Sequence, residues 1–227
     1  PISRAALAEM TGLNKSTVSS LVQELISNRF VHEIGRAANN IGRPSTLLQI
    51  NPAAGYIVSA EIGVDFIAAA CANFAAEVVW QRRIDTSGDH SQPGTLSRLL
   101  ALLKQAMEAG RQRGLSRPLG LALGIPGLVE QNSGTLLFAP NLRWENIPLR
   151  EMLRAAFHNL PVFVDNEANL AALGEQFYGV ARGYDTVLYT RSVPENHATI
   201  ETMQQNHCNT CHTTCGDCHV SQPFSVG

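Results

Sequence analysis

Two stretches of this chain carry side chains whose types and spacing could do chemistry. The first is Asn14-Lys15-Ser16-Thr17-Val18-Ser19-Ser20, which offers hydroxyls, an amide and a cation, with no acid from Asn14 to Gln23. Short donors beside a cation suit base edges and phosphates when they lie on the early turns of an exposed helix. Gly42-Arg43-Pro44 adds an arginine on a slender, extended segment of the kind that enters a narrow minor groove. The second stretch is the tail, where Cys208-x2-Cys211 and Cys215-x2-Cys218 follow His197. Paired thiolates can hold Zn²⁺ tetrahedrally. Only three residues separate these pairs, however, where zinc ribbons leave about 15. Three readings of the tail stand open: zinc ligation, disulfide or redox chemistry, and a segment translated out of frame or otherwise unrelated to the rest of the gene. No other cofactor is expected.

Elements must hold these groups in place. Residues 3–10 have high helical propensity and stop at Thr11-Gly12, where glycine permits a left-handed turn. Asn14 then caps a second helix. In it Val18, Leu21, Val22 and Leu25 fall at i, i+3, i+4 and i+7, which predicts one apolar stripe. Residues 30–34 and 46–50 flank a Gly/Asn-rich loop and read as a β-hairpin whose tip holds Arg43. Together these predict a winged helix-turn-helix over residues 1–51. Double-stranded operator DNA is the expected partner, contacted by Asn14, Lys15, Ser16, Thr17, Ser19, Ser20 and Arg43. A surface helical hairpin with a polar outer face is the alternative.

The rest of the chain reads as α/β. Residues 56–64 alternate, with Val58, Ala60, Ile62 and Val64 on one side, and 66–72 and 77–82 complete an antiparallel meander. Leu96, Leu99, Leu100, Leu103 and Met107 predict a helix ending near Gly110–Gly114. A buried-type strand over 119–125 turns at Pro126-Gly127. Pro148 opens a helix with Leu149, Met152, Leu153 and Ala156 at helical spacing. A strand over 161–164, a helix from Asn166 and a strand over 185–190 follow. This order is that of an actin-like (ribonuclease-H-like) lobe, assigned to 52–189. Periodicity then vanishes, and 190–227 is expected to be a divergent, disordered tail.

The chain has 227 residues, with Lys+Arg 17, Asp+Glu 19 and a net charge of -2; 44% of residues are hydrophobic and 16% charged. That balance excludes a wholly disordered chain and one that is basic throughout. Residues 1–50 nonetheless hold five basic residues and three acids, a local excess of positive charge. No apolar run of about 18 residues and no basic-then-apolar leader is present, so a cytoplasmic protein without a membrane span is expected. Cys71 is the one cysteine before the tail, as suits a reduced compartment. Residue 1 already lies inside a motif, so a few residues are expected before it.

Three ordered motifs add a resemblance. Pro126-Gly127-Leu128-Val129, Ala139-Pro140-Asn141-Leu142-Arg143-Trp144 and the run from Val164-Asp165-Asn166-Glu167-Ala168-Asn169 to Glu175 resemble the ROK family of repressors and sugar kinases. The fused N-terminal module with its Gly-Arg-Pro tip resembles the repressor branch. The resemblance covers residues 1 to about 189, roughly half of a typical member, so the chain reads as a truncated or degenerate copy lacking the second lobe. It implies a repressor of carbohydrate metabolism that answers to a small-molecule sugar or sugar phosphate and is a homodimer when intact. Asn141, Asn166 and Glu167 match positions that hold sugar hydroxyls, for which amides and carboxylates offer directed donors and acceptors. The two asparagines could instead cap turns or helices, and Trp144 is expected in the core.

The kinases of the family carry an Asp-x-Gly-Gly-Thr phosphate loop. The matching stretch is Glu61-Ile62-Gly63-Val64-Asp65, where Val64 obstructs and Asp65 repels a phosphate. Their catalytic Asp is matched by Glu167, one methylene longer. A displacement of about 1 Å costs a general base on the order of a hundredfold. No catalytic residue is therefore assigned. A sugar kinase with an appended DNA-binding module is the alternative.

Overall fold

The computed structural model describes residues 1–36, 46–86, 91–192 and 198–202. Arg43, His197 and the four tail cysteines lie outside the described residues.

Strand β1 (Ile2–Ser3) leads into helix α1 (Arg4–Thr11), which Ser3 caps by accepting the Ala6 amide at 3.2 Å. Gly12 closes α1 with φ 68, the left-handed conformation expected of it. Helix α2 (Lys15–Ser27) follows, capped by Asn14. Strands β2 (Val31–Arg36) and β3 (Thr46–Ile50) pair antiparallel, and β1 adds to the far side of β3, a short pairing without periodic signal. The core of this unit is small: Ala8, Val18, Val22 and Leu48, with Ile2, Leu7, Ile26 and Val31 packed around them.

The apolar stripe of α2 differs from the expected one. Leu21 and Leu25 are 48% and 42% exposed, while Val18 and Val22 are buried and Ile26 half-buried. Steps of four residues advance about 40° around a helix, so a line through Val18, Val22 and Ile26 drifts away from Leu21. With so few partners in α1 and the sheet, α2 buries only that narrow line.

A short 3-10 turn, Pro52–Ala54, leads to a five-stranded mixed sheet. Strands β4 (Tyr56–Ile62), β5 (Phe66–Asn73) and β6 (Val78–Asp85) form the expected meander. Helix α3 (Gln92–Gln112) covers one face, burying Leu99, Leu102, Leu103, Ala106 and Met107. Strand β7 (Pro118–Ile125) returns parallel to β4. Val64 is exposed rather than in line with Val58 and Ile62, because β4 ends at Ile62 and Val64 belongs to the turn before β5.

Between β7 and the next parallel strand lies a second small sheet that the sequence did not announce: β8 (Leu128–Glu130), β9 (Thr135–Ala139) and β10 (Trp144–Ile147). It buries Leu136, Ala139, Trp144 and Ile147 in the main core, which settles Trp144 as a core residue. Gly127 allows its close return, since a Cβ there would sit 2.6 Å from the Phe138 carbonyl. Helix α4 (Leu149–Ala156) buries Leu149 and Leu153 but leaves Met152 40% exposed. Strand β11 (Val162–Asn166) then joins β7 in parallel, giving the order β11-β7-β4-β5-β6. Helix α5 (Glu167–Tyr178) lies over Gly124, on the face of β7 opposite to core residues Leu123 and Ile125.

The last strand expected over 185–190 instead begins at Leu188. Strand β12 (Leu188–Ser192) runs past residue 189 and pairs antiparallel with β13 (Ala198–Thr202). Among the described residues no helix is long and apolar enough to cross a membrane.

The strands of the central sheet run between two ends. β4 and β7 begin, and β5 finishes, beside the N-terminal unit, at Tyr56, Pro118 and Asn73. Their other ends meet at Gly63–Asp65 and Pro126–Gly127.

Candidate functional site

The polar side of α2 stands in solvent. Lys15, Ser16, Ser19, Ser20 and Gln23 are exposed. Ser16, Ser19, Ser20, Gln23 and Ser27 recur at i, i+3, i+4, i+7 and i+11, so they share a face turned away from the buried valines, while Lys15 is exposed at the first turn of the helix. Thr17 is half-buried and off this face, unlike its expected place among the contacts. Asn14 works mainly as the cap: its Oδ1 accepts the Thr17 amide at 2.8 Å and the Ser16 hydroxyl at 2.7 Å. Ser19 donates its hydroxyl to the Lys15 carbonyl at 2.8 Å, which leaves its oxygen as an acceptor. Gln23 was not among the expected contacts. Its signal was its position, i+7 from Ser16 at the end of the acid-free run. A glutamine amide can pair bidentately with adenine.

The C-terminus of α2 ends in a Schellman turn. Phe30 donates its amide to the Leu25 carbonyl at 2.9 Å and Arg29 donates to Ile26 at 2.9 Å. Arg29 takes the left-handed position with φ 62, where glycine is usual.

A second set of groups converges at the far end of the sheet. A cleft of about 590 Å³ is lined by Gly127, Gln131, Asn141, Asp165, Asn166 and Asn169 among others. It brings Asn141 and Asn166 together as expected, and adds Asp165 and Asn169. Asn166 is also the N-cap of α5, its Oδ1 accepting the Ala168 amide at 2.8 Å and the Asn169 amide at 3.4 Å. Asp165 Oδ1 accepts the Asn166 amide at 2.7 Å and Asn169 Nδ2 at 2.8 Å. A carboxylate has about four lone-pair sites, so these two bonds leave capacity for a hydroxyl. Asn141 is exposed in the loop between β9 and β10.

Glu167 does not line this cleft. One residue into α5 the chain has rotated, and Glu167 lines a separate cleft of about 710 Å³ over the open face of the sheet, with Ser59, Glu61, Gln81 and Arg83. The Arg83 guanidinium there lies 3.5 Å above the Phe66 ring. The turn matching the kinase phosphate loop also has a structural reason for its one glycine. A Cβ at Gly63 would overlap the Phe66 ring, and the Gly63 amide donates to the Phe66 carbonyl at 2.8 Å. Val64 and Asp65 are both exposed in that turn.

Known proteins bear on both regions. The model of the ROK family matches residues 57–192. The xylose repressor of Caldicellulosiruptor bescii is 39% identical over 180 residues, 78% of this chain and 44% of that protein. A glucokinase of Halalkalibacterium halodurans is 31% identical over 133 residues, 59% of this chain and 40% of that one. Among solved structures, a ROK family transcriptional regulator, a homolog of the E. coli MLC protein, superposes with a TM-score of 0.62 at 29% identity, over 78% of this chain and 44% of that one. The chain thus spans about half the length of the curated relatives it matches.

Proposed function

The chain belongs to the ROK family, with its actin-like α/β lobe, and from that premise we propose that it is a DNA-binding transcriptional regulator, a repressor of carbohydrate metabolism answering to a sugar or sugar phosphate. Residues 1–51 are the winged helix-turn-helix, 52–189 the sensor lobe, and the protein works in the cytoplasm as a homodimer. One observation carries the reading: the exposed polar residues Lys15, Ser16, Ser19, Ser20 and Gln23, in a run with no acid from Asn14 to Gln23, backed by a small core of their own. Its size and polarity suit the major groove, where the early part of a recognition helix enters. Arg43, which falls between β2 and β3 in sequence, is the proposed minor-groove contact.

The cleft of Asn141, Asp165, Asn166 and Asn169 suits the hydroxyls of a sugar: amides and one carboxylate on a firm backbone, with no cation among its lining residues. An effector there shifts the balance between DNA-competent and incompetent forms, which requires different affinities for the two.

The test is selection from a pool of random duplexes, then titration of the chosen duplex at two salt concentrations. Binding that weakens as salt rises is expected, because neutralised phosphates release counterions. Absence of binding, or binding without that slope, removes the assignment.

A ROK-type sugar kinase with an appended DNA-binding module is the second reading, supported by the glucokinase relative. Against it stand the exposed Val64 and Asp65 at the phosphate turn and the placement of Glu167 outside the Asn141 cleft. It predicts ATP binding, and a flat calorimetric titration with ATP ends it.

A further inference from the structure

Phe30 leaves the Schellman turn of α2 sideways and meets Phe74, in the turn between β5 and β6, with ring centroids 5.2 Å apart and planes tilted by 32°. The Arg117 guanidinium, just before β7, lies 5.9 Å from the Phe30 ring centroid on the same side of the joint. Neither phenylalanine belongs to either apolar core. Hydrogen bonds surround the pair. Asn51 donates its side-chain amide to the Arg29 carbonyl at 2.8 Å and its backbone amide to Phe30 at 2.9 Å. Phe74 donates to Pro52 at 3.2 Å, Ser116 to Ala53 at 3.2 Å, and Tyr56 to Arg117 at 2.9 Å. The Ser116 hydroxyl donates to the Ala54 carbonyl.

A linker of a few residues between two units ordinarily leaves them free to reorient, because few contacts cross it. Here contacts from three separate segments close on residues 51–56. A unit whose core has four buried residues is also marginal alone, since small units bury little of their surface.

We propose that Phe30, Phe74 and Arg117 are positioning residues: they wedge the C-terminal end of α2 against the end of the central sheet, so that the N-terminal unit and the lobe turn as one body. That they thereby aim a DNA-reading face rests on the function proposed above; the wedge itself does not. Aromatic pairing and cation–π attraction both reward one mutual orientation, and the hydrogen-bonded 3-10 turn removes the remaining freedom of the link.

The experiment is ¹⁵N relaxation on the 227-residue chain, comparing the tumbling times of amides in α2 with those in β4 and β5. In the wild type a single tumbling time is expected. Phe74→Ala should split it, giving α2 a shorter time than the sheet, and Phe74→Tyr should keep it single. Two times in the wild type overturn the proposal, and so does a single time in Phe74→Ala. A thermal melt confirms that each variant is folded. Should Phe74→Ala not fold, Phe30→Leu combined with Arg117→Ala strips the wedge from the other side and must give the same split. Failure to bind DNA would remove the regulator assignment and leave the tumbling result as it is, so the two can fail separately.

Discussion

Asn166 Nδ2 donates to the Gly127 carbonyl at 3.1 Å, tying the start of α5 to the turn that follows β7. The same side chain caps α5 through its oxygen, so one amide holds two walls of the cleft. Asn166→Ala should lower stability by about 0.5–2 kcal/mol, the usual worth of an N-cap, read from the denaturant midpoint. A midpoint unchanged from wild type would show that the cap is idle.

Asn141 presents the opposite case. It is exposed in a loop, so Asn141→Ala should shift stability by no more than about 0.5 kcal/mol. It should nonetheless weaken sugar binding by about tenfold, as loss of one to two hydrogen bonds would. Glu167→Gln, in the other cleft, should leave that affinity unchanged. Calorimetry with a panel of pentoses, hexoses and their phosphates reads both. Equal losses in the two variants would mean that the clefts act as one site.

On α2 the proposed function calls for two kinds of DNA contact. Lys15→Ala should weaken binding evenly across sequences and reduce the salt slope by about one. Gln23→Ala should cost about 1–3 kcal/mol at one base pair and relax selectivity there. The measurement is a titration of single-base variants of the selected duplex. A uniform loss for Gln23→Ala would assign it to the backbone instead.

Much of this was legible in the residues. Gly12 and Asn14 mark the turn and cap before α2, and the meander and the parallel strands follow their apolar runs. The three short strands β8 to β10 were hidden for a physical reason. Segments of three to five residues show too little alternation, and their partners are set by the tertiary return at Gly127. The cleft was half legible. Asn141 and Asn166 come together, but helical rotation carries Glu167 away, and only the hydrogen bonds of Asp165 and Asn169 reveal that they belong. The excess width read into the α2 stripe has the same origin: a heptad-like pattern cannot say how many neighbours will cover it.

Arg29 tests the turn itself. A non-glycine residue at φ 62 carries strain of about 1 kcal/mol or more. Arg29→Gly should raise stability by about 1 kcal/mol in denaturant unfolding while its carbonyl keeps the bond from Asn51. A loss of stability would show that the arginine side chain makes up for its backbone.

Glu130 gives a pH dependence. Hydrogen bonds from Ser133, and then from the Asn132 amide, hold its carboxyl below the usual carboxylate range. A lowered folded value means that the turn is supported at pH above the unfolded-state value of about 4.3 and loses that support as pH falls through the lower folded value. That turn also positions Arg150, which donates to the Gln131 and Asn132 carbonyls at 2.8 and 2.6 Å. Amide exchange at Ser133 should quicken, relative to its intrinsic rate, as pH falls through that range. In Glu130→Gln the change should vanish. A pH response that persists in the variant would place its source elsewhere.

The cleft of Asn141 and Asn166 and the Phe30–Phe74 pair sit at opposite ends of the same strands, about 25 Å apart at 3.3 Å per residue over eight residues. Strands locked in a ladder neither stretch nor shorten appreciably. If the cleft takes an effector as proposed, a swing of the whole plank would carry its occupancy to the far end, where a tilt of a few degrees at Gly127 becomes about an ångström or two of travel at the mounting of α2.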